Sequence, residues 1–202
     1  MTTPKHYDAD YYRRWYHDPA QRVITPEAVA RKVRLVLGIA ESLLERPVRS
    51  VLDVGCGEGS WRAHLRRLRP GLRYTGVESS EYVLQRFGRA RDIRRGSFGT
   101  LGEVRLAASY DLVVVCDVLQ YVPDRELNTG LSAIADRLGG VVYLEAYATE
   151  DAIEGDHADW HHRSAEQYRR HLRRAGLQAV GMHCYVRREL AGRTAALERG
   201  HP

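Results

Sequence analysis

The stretch Val51-Leu52-Asp53-Val54-Gly55-Cys56-Gly57-Glu58-Gly59-Ser60-Trp61 constrains this chain more than any other. An apolar run of strand formers meets a carboxylate, then three glycines at every second position, then the helix-compatible Trp61-Arg62-Ala63-His64-Leu65. That order predicts a strand, a tight turn and a helix. Glycine accepts positive φ and has no Cβ to hold a ligand away, so such a turn lets a ligand lie against bare backbone. The helix that follows aims unpaired N–H groups and the positive end of its dipole at the same place. A polar or anionic ligand is expected there.

The surroundings repeat the pattern. From Pro26 the apolar residues Val29, Val33, Val36, Leu37, Ala40, Leu43 and Leu44 recur at helical spacing, bracketed by Pro26 and Pro47. Strands are predicted at 49–54, at Arg73 to Val77 ending on Glu78, weakly at 92–95, at Asp111 to Cys116 and at Val141 to Glu145. The fourth, Asp111-Leu112-Val113-Val114-Val115-Cys116, reads as a strand buried on both faces of a parallel sheet. Gly139-Gly140 reads as the end of the helix carrying Leu127, Leu131, Ile134 and Leu138. A sixth strand is predicted over Leu177 to Val186, and a seventh at Arg193 to Arg199, where helix reads equally well. Alternating strands and helices predict an α/β, doubly wound sheet in a single domain over 1–202. Residues 1–27, rich in Tyr7, Tyr11, Tyr12, Trp15 and Tyr16, are expected to pack on the core of 28–202 as an aromatic lid.

Composition bears on partners and location. No apolar run approaches the length of a membrane span, and the first residues lack the apolar core of a signal peptide, so a cytoplasmic protein without membrane contact is expected. Cys56, Cys116 and Cys184 are odd in number and far apart, which suits reduced, buried thiols. The net charge of +5 comes from arginines spread along the chain, with only Lys5 and Lys32 as lysines, and no basic run marks a nucleic-acid tail. The densest group, Arg169, Arg170, Arg173 and Arg174, fits the solvated face of a helix.

In an open parallel sheet, ligands bind beyond the carboxyl ends of the strands where the strand order reverses. Glu78 follows the glycine turn by about twenty residues, the spacing at which an acid can take both hydroxyls of a ribose. The glycines at 55, 57 and 59 depart from the dinucleotide fingerprint, and Asp53 would repel a pyrophosphate while attracting an ammonium.

These residues resemble the class I S-adenosylmethionine-dependent methyltransferases, whose first motif reads apolar-D-x-G-x-G-x-G. The resemblance covers about 48–147 and includes Glu78, Asp111 to Val122 and Gly139 to Leu144, with a further likeness at Tyr168 to Gly176. It implies a Rossmann-like, mainly parallel seven-stranded sheet with helices on both faces, and S-adenosyl-L-methionine as cofactor. It also implies that Gly55, Cys56 and Gly57 meet the cofactor through backbone, that Asp53 helps place the methionine amino group, and that Glu78 holds the ribose beside Ser79. Asp117 and Val118 would line the floor under the sulfonium. Where many relatives carry an aspartate for the adenine, this chain has Arg95-Gly96-Ser97-Phe98, which leaves Ser97 and Phe98 as adenine candidates.

Methyl transfer needs a base only where the acceptor must lose a proton. The candidates are His157, His161 and Tyr147, with His162 and Trp160 nearby, in a stretch over 148–163 without regular period. His157 with His161 lacks the carboxylate or cysteine of a recognisable metal set, so no metal is expected. The chain has no Asn-Pro-Pro-Tyr or Asp-Pro-Pro-Tyr after the fourth strand, and its Cys116-Asp117-Val118-Leu119 looks like the small-molecule branch. A small-molecule acceptor is therefore expected, with a nucleic-acid or protein acceptor and a cofactor-binding protein without turnover as alternatives.

Overall fold

The computed structural model describes residues 6–22, 25–152 and 159–197, and within them the apolar runs pair into one seven-stranded sheet. Strands β1 (Ser50–Val54), β2 (Arg73–Glu78), β3 (Ile93–Arg95), β4 (Tyr110–Cys116) and β5 (Leu138–Glu145) are parallel. With β6 (Leu177–Gly181) and β7 (Cys184–Arg187) they take the order β3-β2-β1-β4-β5-β7-β6, and β7 runs antiparallel to both its neighbours. The order reverses between β1 and β4, which opens the crevice at their carboxyl ends.

Alternate side chains of the central strands feed two cores. Val51, Leu112, Val114 and Val141 pack against α2 (Pro26–Leu44) and α3 (Ser60–Leu68); Leu52, Val113, Val115 and Val142 pack against α5 (Asp124–Arg137) and α6 (Ala165–Arg174). Burial on both faces is why these strands read as unbroken β-branched runs rather than alternating ones. Between β2 and β3 lies α4 (Glu81–Arg91), capped by Ser80, whose hydroxyl accepts from Val83 N. Helix α2 starts on Thr25, whose Oγ accepts from Ala28 N at 3.2 Å, with Pro26 in the first turn where its missing N–H costs nothing.

Near the amino terminus a single helical turn, α1 (Ala9–Tyr12), runs on into a π-helical turn over Arg13–His17. Its Tyr12 is buried and stacks on Tyr82 of α4 at 5.5 Å. Ser80 donates its hydroxyl to the Tyr7 carbonyl, and His17 Nε2 lies 3.1 Å from Glu58 Oε2. These contacts hold the segment over the carboxyl end of the sheet.

Two sequence expectations are corrected here. Gly139-Gly140 does not end a helix: α5 stops at Arg137, and Leu138 and both glycines lie inside β5, paired beside the start of β4. A Cβ on Gly140 would come within 2.1 Å of the Asp111 carbonyl oxygen. The stretch Leu177 to Val186 is not one strand but the hairpin β6–β7, turned by Met182 and His183 at φ 50° and 62°. The seventh strand is thus Cys184–Arg187; after it the chain forms the short α7 (Arg188–Ala191), residues 193–197 of the stretch expected as the seventh join no strand, and Glu198 and Arg199 lie outside the described residues. No described helix is long and apolar enough to cross a membrane.

Candidate active site

The glycine turn between β1 and α3 has the conformation its composition requires. Gly55, Gly57 and Gly59 take φ of 68°, 52° and 79°, the left-handed region that side chains disfavour. A Cβ on Gly55 would lie 2.4 Å from Val118 Cγ2, and one on Gly57 would lie 3.2 Å from the Tyr16 hydroxyl. The turn's N–H groups, however, do not form an open anion nest. Gly55 N and Cys56 N donate to the Val77 carbonyl at 2.8 and 3.2 Å, Gly57 N to Glu78 Oε2 at 2.9 Å, and Gly59 N to the Cys56 carbonyl at 2.9 Å. The turn offers a ligand its bare Cα surface, not these donors.

Glu78, the last residue of β2, is the brace of that turn. Besides Gly57 N, its carboxylate accepts from Ser79 N at 2.8 Å and Ser80 N at 2.9 Å. Oε1 takes the last two bonds and a long one from Ser79 Oγ at 3.4 Å, whereas Oε2 accepts from Gly57 N and has a second lone pair for a hydroxyl.

Two clefts flank the turn. One is lined by Gly55, Gly57, Glu78, Ser79, Ser97, Phe98 and Val118, with Tyr7, Tyr11, Tyr12 and Tyr16 over it and Tyr121 beside it. The other is lined by Asp53, Cys56, Glu58, Trp61 and His64, with Thr25, Val29 and Lys32 of the α2 side opposite. Tyr16, Gly55, Cys116 and Asp117 line both. The ten residues expected at the cofactor therefore line two neighbouring lobes of the cleft region around the turn. Within it, Phe98 gives most of its ring to the core, where a Cβ on Gly130 would come within 2.2 Å of it, and Ser97 Oγ pairs with Thr100 Oγ1 at 3.0 Å.

Asp53 closes the floor of the second lobe. It is 2% exposed, and burial pushes its carboxyl up to about 7, against a hydrogen bond from Tyr74 Oη at 2.7 Å that favours ionisation. Across the lobe, Lys32 Nζ donates to Glu145 Oε1 at 2.6 Å. Burial disfavours ionised Glu145, but Lys32 and Tyr143 outweigh it and hold the carboxyl below its usual range. The lobe is thus lined by the Asp53 carboxyl and by the Lys32 ammonium, which is already paired with Glu145.

Of the three residues expected to act on the acceptor, the two that are described do not join this cleft. His161 is exposed and lines neither lobe, and its backbone N–H donates to the Gln120 carbonyl at 2.7 Å. Tyr147 also lines neither lobe; its hydroxyl donates to Glu145 Oε1 at 3.3 Å and its ring stacks on Trp160. His157 lies outside the described residues. Lys32, Tyr16 and Tyr74 are members of the site that sequence reasoning did not assign. Lys32 had a signal, as one of two lysines among 31 basic residues, placed beside the buried stripe of its helix. Among the described residues, no three His, Cys, Asp or Glu side chains come together as a metal would need.

The model of a methyltransferase domain matches residues 52–140, which runs from β1 through the glycine turn to the start of β5. A trans-aconitate 2-methyltransferase from Deinococcus radiodurans is 31% identical over 107 residues, 53% of this chain. The matched segment is 41% of that relative's length, so the chain spans well under half of it. A SAM-dependent methyltransferase from Archaeoglobus fulgidus shares the fold with a TM-score of 0.59 at 15% identity, over 85% of this chain and 74% of its own. So does the [4+2]-cyclase SpnF, with a TM-score of 0.59 at 22% identity, over 83% of this chain and 63% of its own. Over residues 52–140 the chain is thus similar to a methyltransferase domain, and its sheet and helices have the Rossmann-like fold that these structures share.

Proposed function

We propose that the protein binds S-adenosylmethionine across the two lobes and methylates a small-molecule acceptor. The observation that carries this reading is the join between the lobes. A ligand filling both must pass between Tyr16, Gly55, Cys116 and Asp117, where the turn's N–H groups are already engaged and Asp117 adds a carboxylate. The N–H groups of Gly55, Cys56 and Gly57 are not offered to a pyrophosphate linker, which would also meet that acid; a cationic linker suits it. The lobes fit the two ends of the cofactor: Glu78 for ribose hydroxyls, Ser97 and Phe98 for the base, Asp53 for an ammonium and Lys32 for a carboxylate. When bound, the cofactor supplies an electrophilic methyl group on a sulfonium.

The chain's own work is to position and to exclude water. Holding an acceptor at reactive distance contributes on the order of 7–11 kcal/mol of the barrier without covalent help from the protein. Tyr12 and Tyr16 roof the turn, and Tyr11 and Tyr121 give the nucleoside lobe an aromatic wall. Since Tyr147 and His161 stand outside the cleft, the reading rests catalysis on positioning among the described residues. The relative from Deinococcus is named for a small acid as acceptor, which supports the small-molecule class.

The test is a metabolite extract incubated with the protein and methyl-labelled S-adenosylmethionine. Label is expected in a low-molecular-mass product. Label found only in protein or RNA, or cofactor bound with no label transferred, would overturn the reading.

A further inference from the structure

We propose that the cleft at the amino ends of β1, β2 and β4 is a second ligand site, which binds a phosphate group, free or as the ester of a small metabolite. It measures about 360 Å³ and is lined by Ser50, Arg66, Arg73, Thr75, Arg94 and Tyr110, with Asp92 beside them. Ser50, Arg73 and Tyr110 are the first residues of their strands, so the cleft lies at the end of the sheet away from the glycine turn. The five residues of β1 separate the two by roughly 13 Å. None of its lining residues lines either lobe at the other end.

Three guanidinium groups meet one carboxylate here, so positive charge is in excess. Elsewhere in the chain Arg46, Arg95 and Arg163 each close on an acid, whereas the side chains of Arg66 and Arg73 form no hydrogen bond or ion pair among the described residues. Arg94 gives one nitrogen to the Arg105 carbonyl and meets Asp92 only at 3.9 Å. Arg62, one turn before Arg66 on α3, feels the excess: burial first, and then the Arg66 charge, hold it below its usual range. Guanidinium groups left unpaired present planar donors in the geometry that phosphate oxygens accept.

Buried hydroxyls add to these donors. Ser50, Thr75 and Tyr110 are all buried. Ser50 Oγ accepts from Asp111 N at 3.0 Å and Tyr110 Oη from Ala107 N at 3.1 Å, yet among the described residues neither hydroxyl finds an acceptor for its own proton, and Thr75 Oγ1 makes no hydrogen bond. A buried donor without an acceptor costs stability, so these groups favour a ligand made of acceptors. A phosphate ester keeps three acceptor oxygens and carries the negative charge for which the arginines have no partner.

Calorimetric titration of the full chain with inorganic phosphate, at an ionic strength held constant with sodium chloride, tests the site. One saturable site per chain is expected. Arg66→Gln and Arg73→Gln, both at exposed positions, should each weaken phosphate by about tenfold. Asp92→Asn, which removes the lone carboxylate of the cleft and tolerates its φ of 54°, should tighten it by about threefold. Ribose 5-phosphate is the second arm: tighter binding than inorganic phosphate identifies an ester as the ligand, and equal or weaker binding the free ion. Saturating S-adenosylhomocysteine should leave the phosphate affinity unchanged; competition between them would put the anion at the glycine turn and overturn the site. No saturable phosphate binding in the wild type, or wild-type affinity in both arginine variants, would overturn it equally. The assignment stands apart from the cofactor reading, because these variants decide it even if S-adenosylhomocysteine does not bind.

Discussion

Tyr74 Oη donates a 2.7 Å hydrogen bond to Asp53 Oδ2, joining β2 to the end of β1 under the amino-acid lobe. Both residues are 2% exposed. Burial raises the Asp53 carboxyl to about 7, the Tyr74 bond opposes it, and the nearby Glu78 charge raises it further. The acid that is to meet an ammonium is therefore only partly ionised near neutrality in the free protein.

A pH dependence of binding follows. An ammonium-bearing ligand selects ionised Asp53, so S-adenosylhomocysteine affinity should rise with pH and level off above about 7, falling by up to about tenfold per pH unit below it. Stability moves the other way. The folded carboxyl titrates above its unfolded value, so its contribution is fully present below about pH 4 and is lost as pH rises through about 7. Asp53→Asn should flatten the binding profile in calorimetry and raise the melting temperature relative to wild type at alkaline pH. An unchanged binding profile in the variant would assign the titration to another group.

Gly55 and Gly38 should respond to alanine with opposite signs. Gly55 has positive φ and a Cβ there would strike Val118, so Gly55→Ala should destabilise by about 1–3 kcal/mol. Gly38 lies inside α2 with nothing within 4 Å of its built Cβ, so Gly38→Ala should stabilise by about 0.5–1 kcal/mol. Denaturant unfolding measures both. Adding Val118→Ala to Gly55→Ala should recover part of the loss, since it relieves the contact but not the backbone strain.

Much of this fold was legible because its strongest signals are local. The unbroken β-branched run of β4, the glycines after β1 and the acid closing β2 each follow from burial or backbone conformation that a few neighbouring residues dictate. What stayed hidden depended on distant partners. Gly139-Gly140 looks like a stop signal until Asp111 is seen against it, and the β6–β7 hairpin turns on Met182 and His183, which are not turn formers by composition. Tyr74 reads as an ordinary strand aromatic; only the pairing of β1 with β2 brings its hydroxyl to Asp53. The histidines drew attention by chemistry alone, and the structure leaves His161 exposed.

Arg163 should not tolerate lysine. Its Nε donates to Asp124 Oδ1 at 2.7 Å while two more nitrogens hold the Leu119 and Val122 carbonyls, a planar fork that an ammonium does not reproduce. Arg163→Lys should cost about 1–3 kcal/mol in unfolding free energy and loosen the loop carrying Asp117 and Val118, weakening the cofactor as well. Unchanged stability would show that the buried fork contributes nothing.

Tyr16 reaches over both lobes from the amino-terminal segment. Tyr16→Ala should weaken S-adenosylhomocysteine by about tenfold with little change in melting temperature, because the residue is 36% exposed and its loss opens no core cavity. Equal affinity in the variant would remove this segment from the binding site.

The most direct measurement is calorimetric titration of the wild-type chain with S-adenosylmethionine, S-adenosylhomocysteine and NADH under one set of conditions. The account predicts that both sulfur ligands bind with one site per chain and that NADH gives no heat of binding. NADH binding without either sulfur ligand would contradict it.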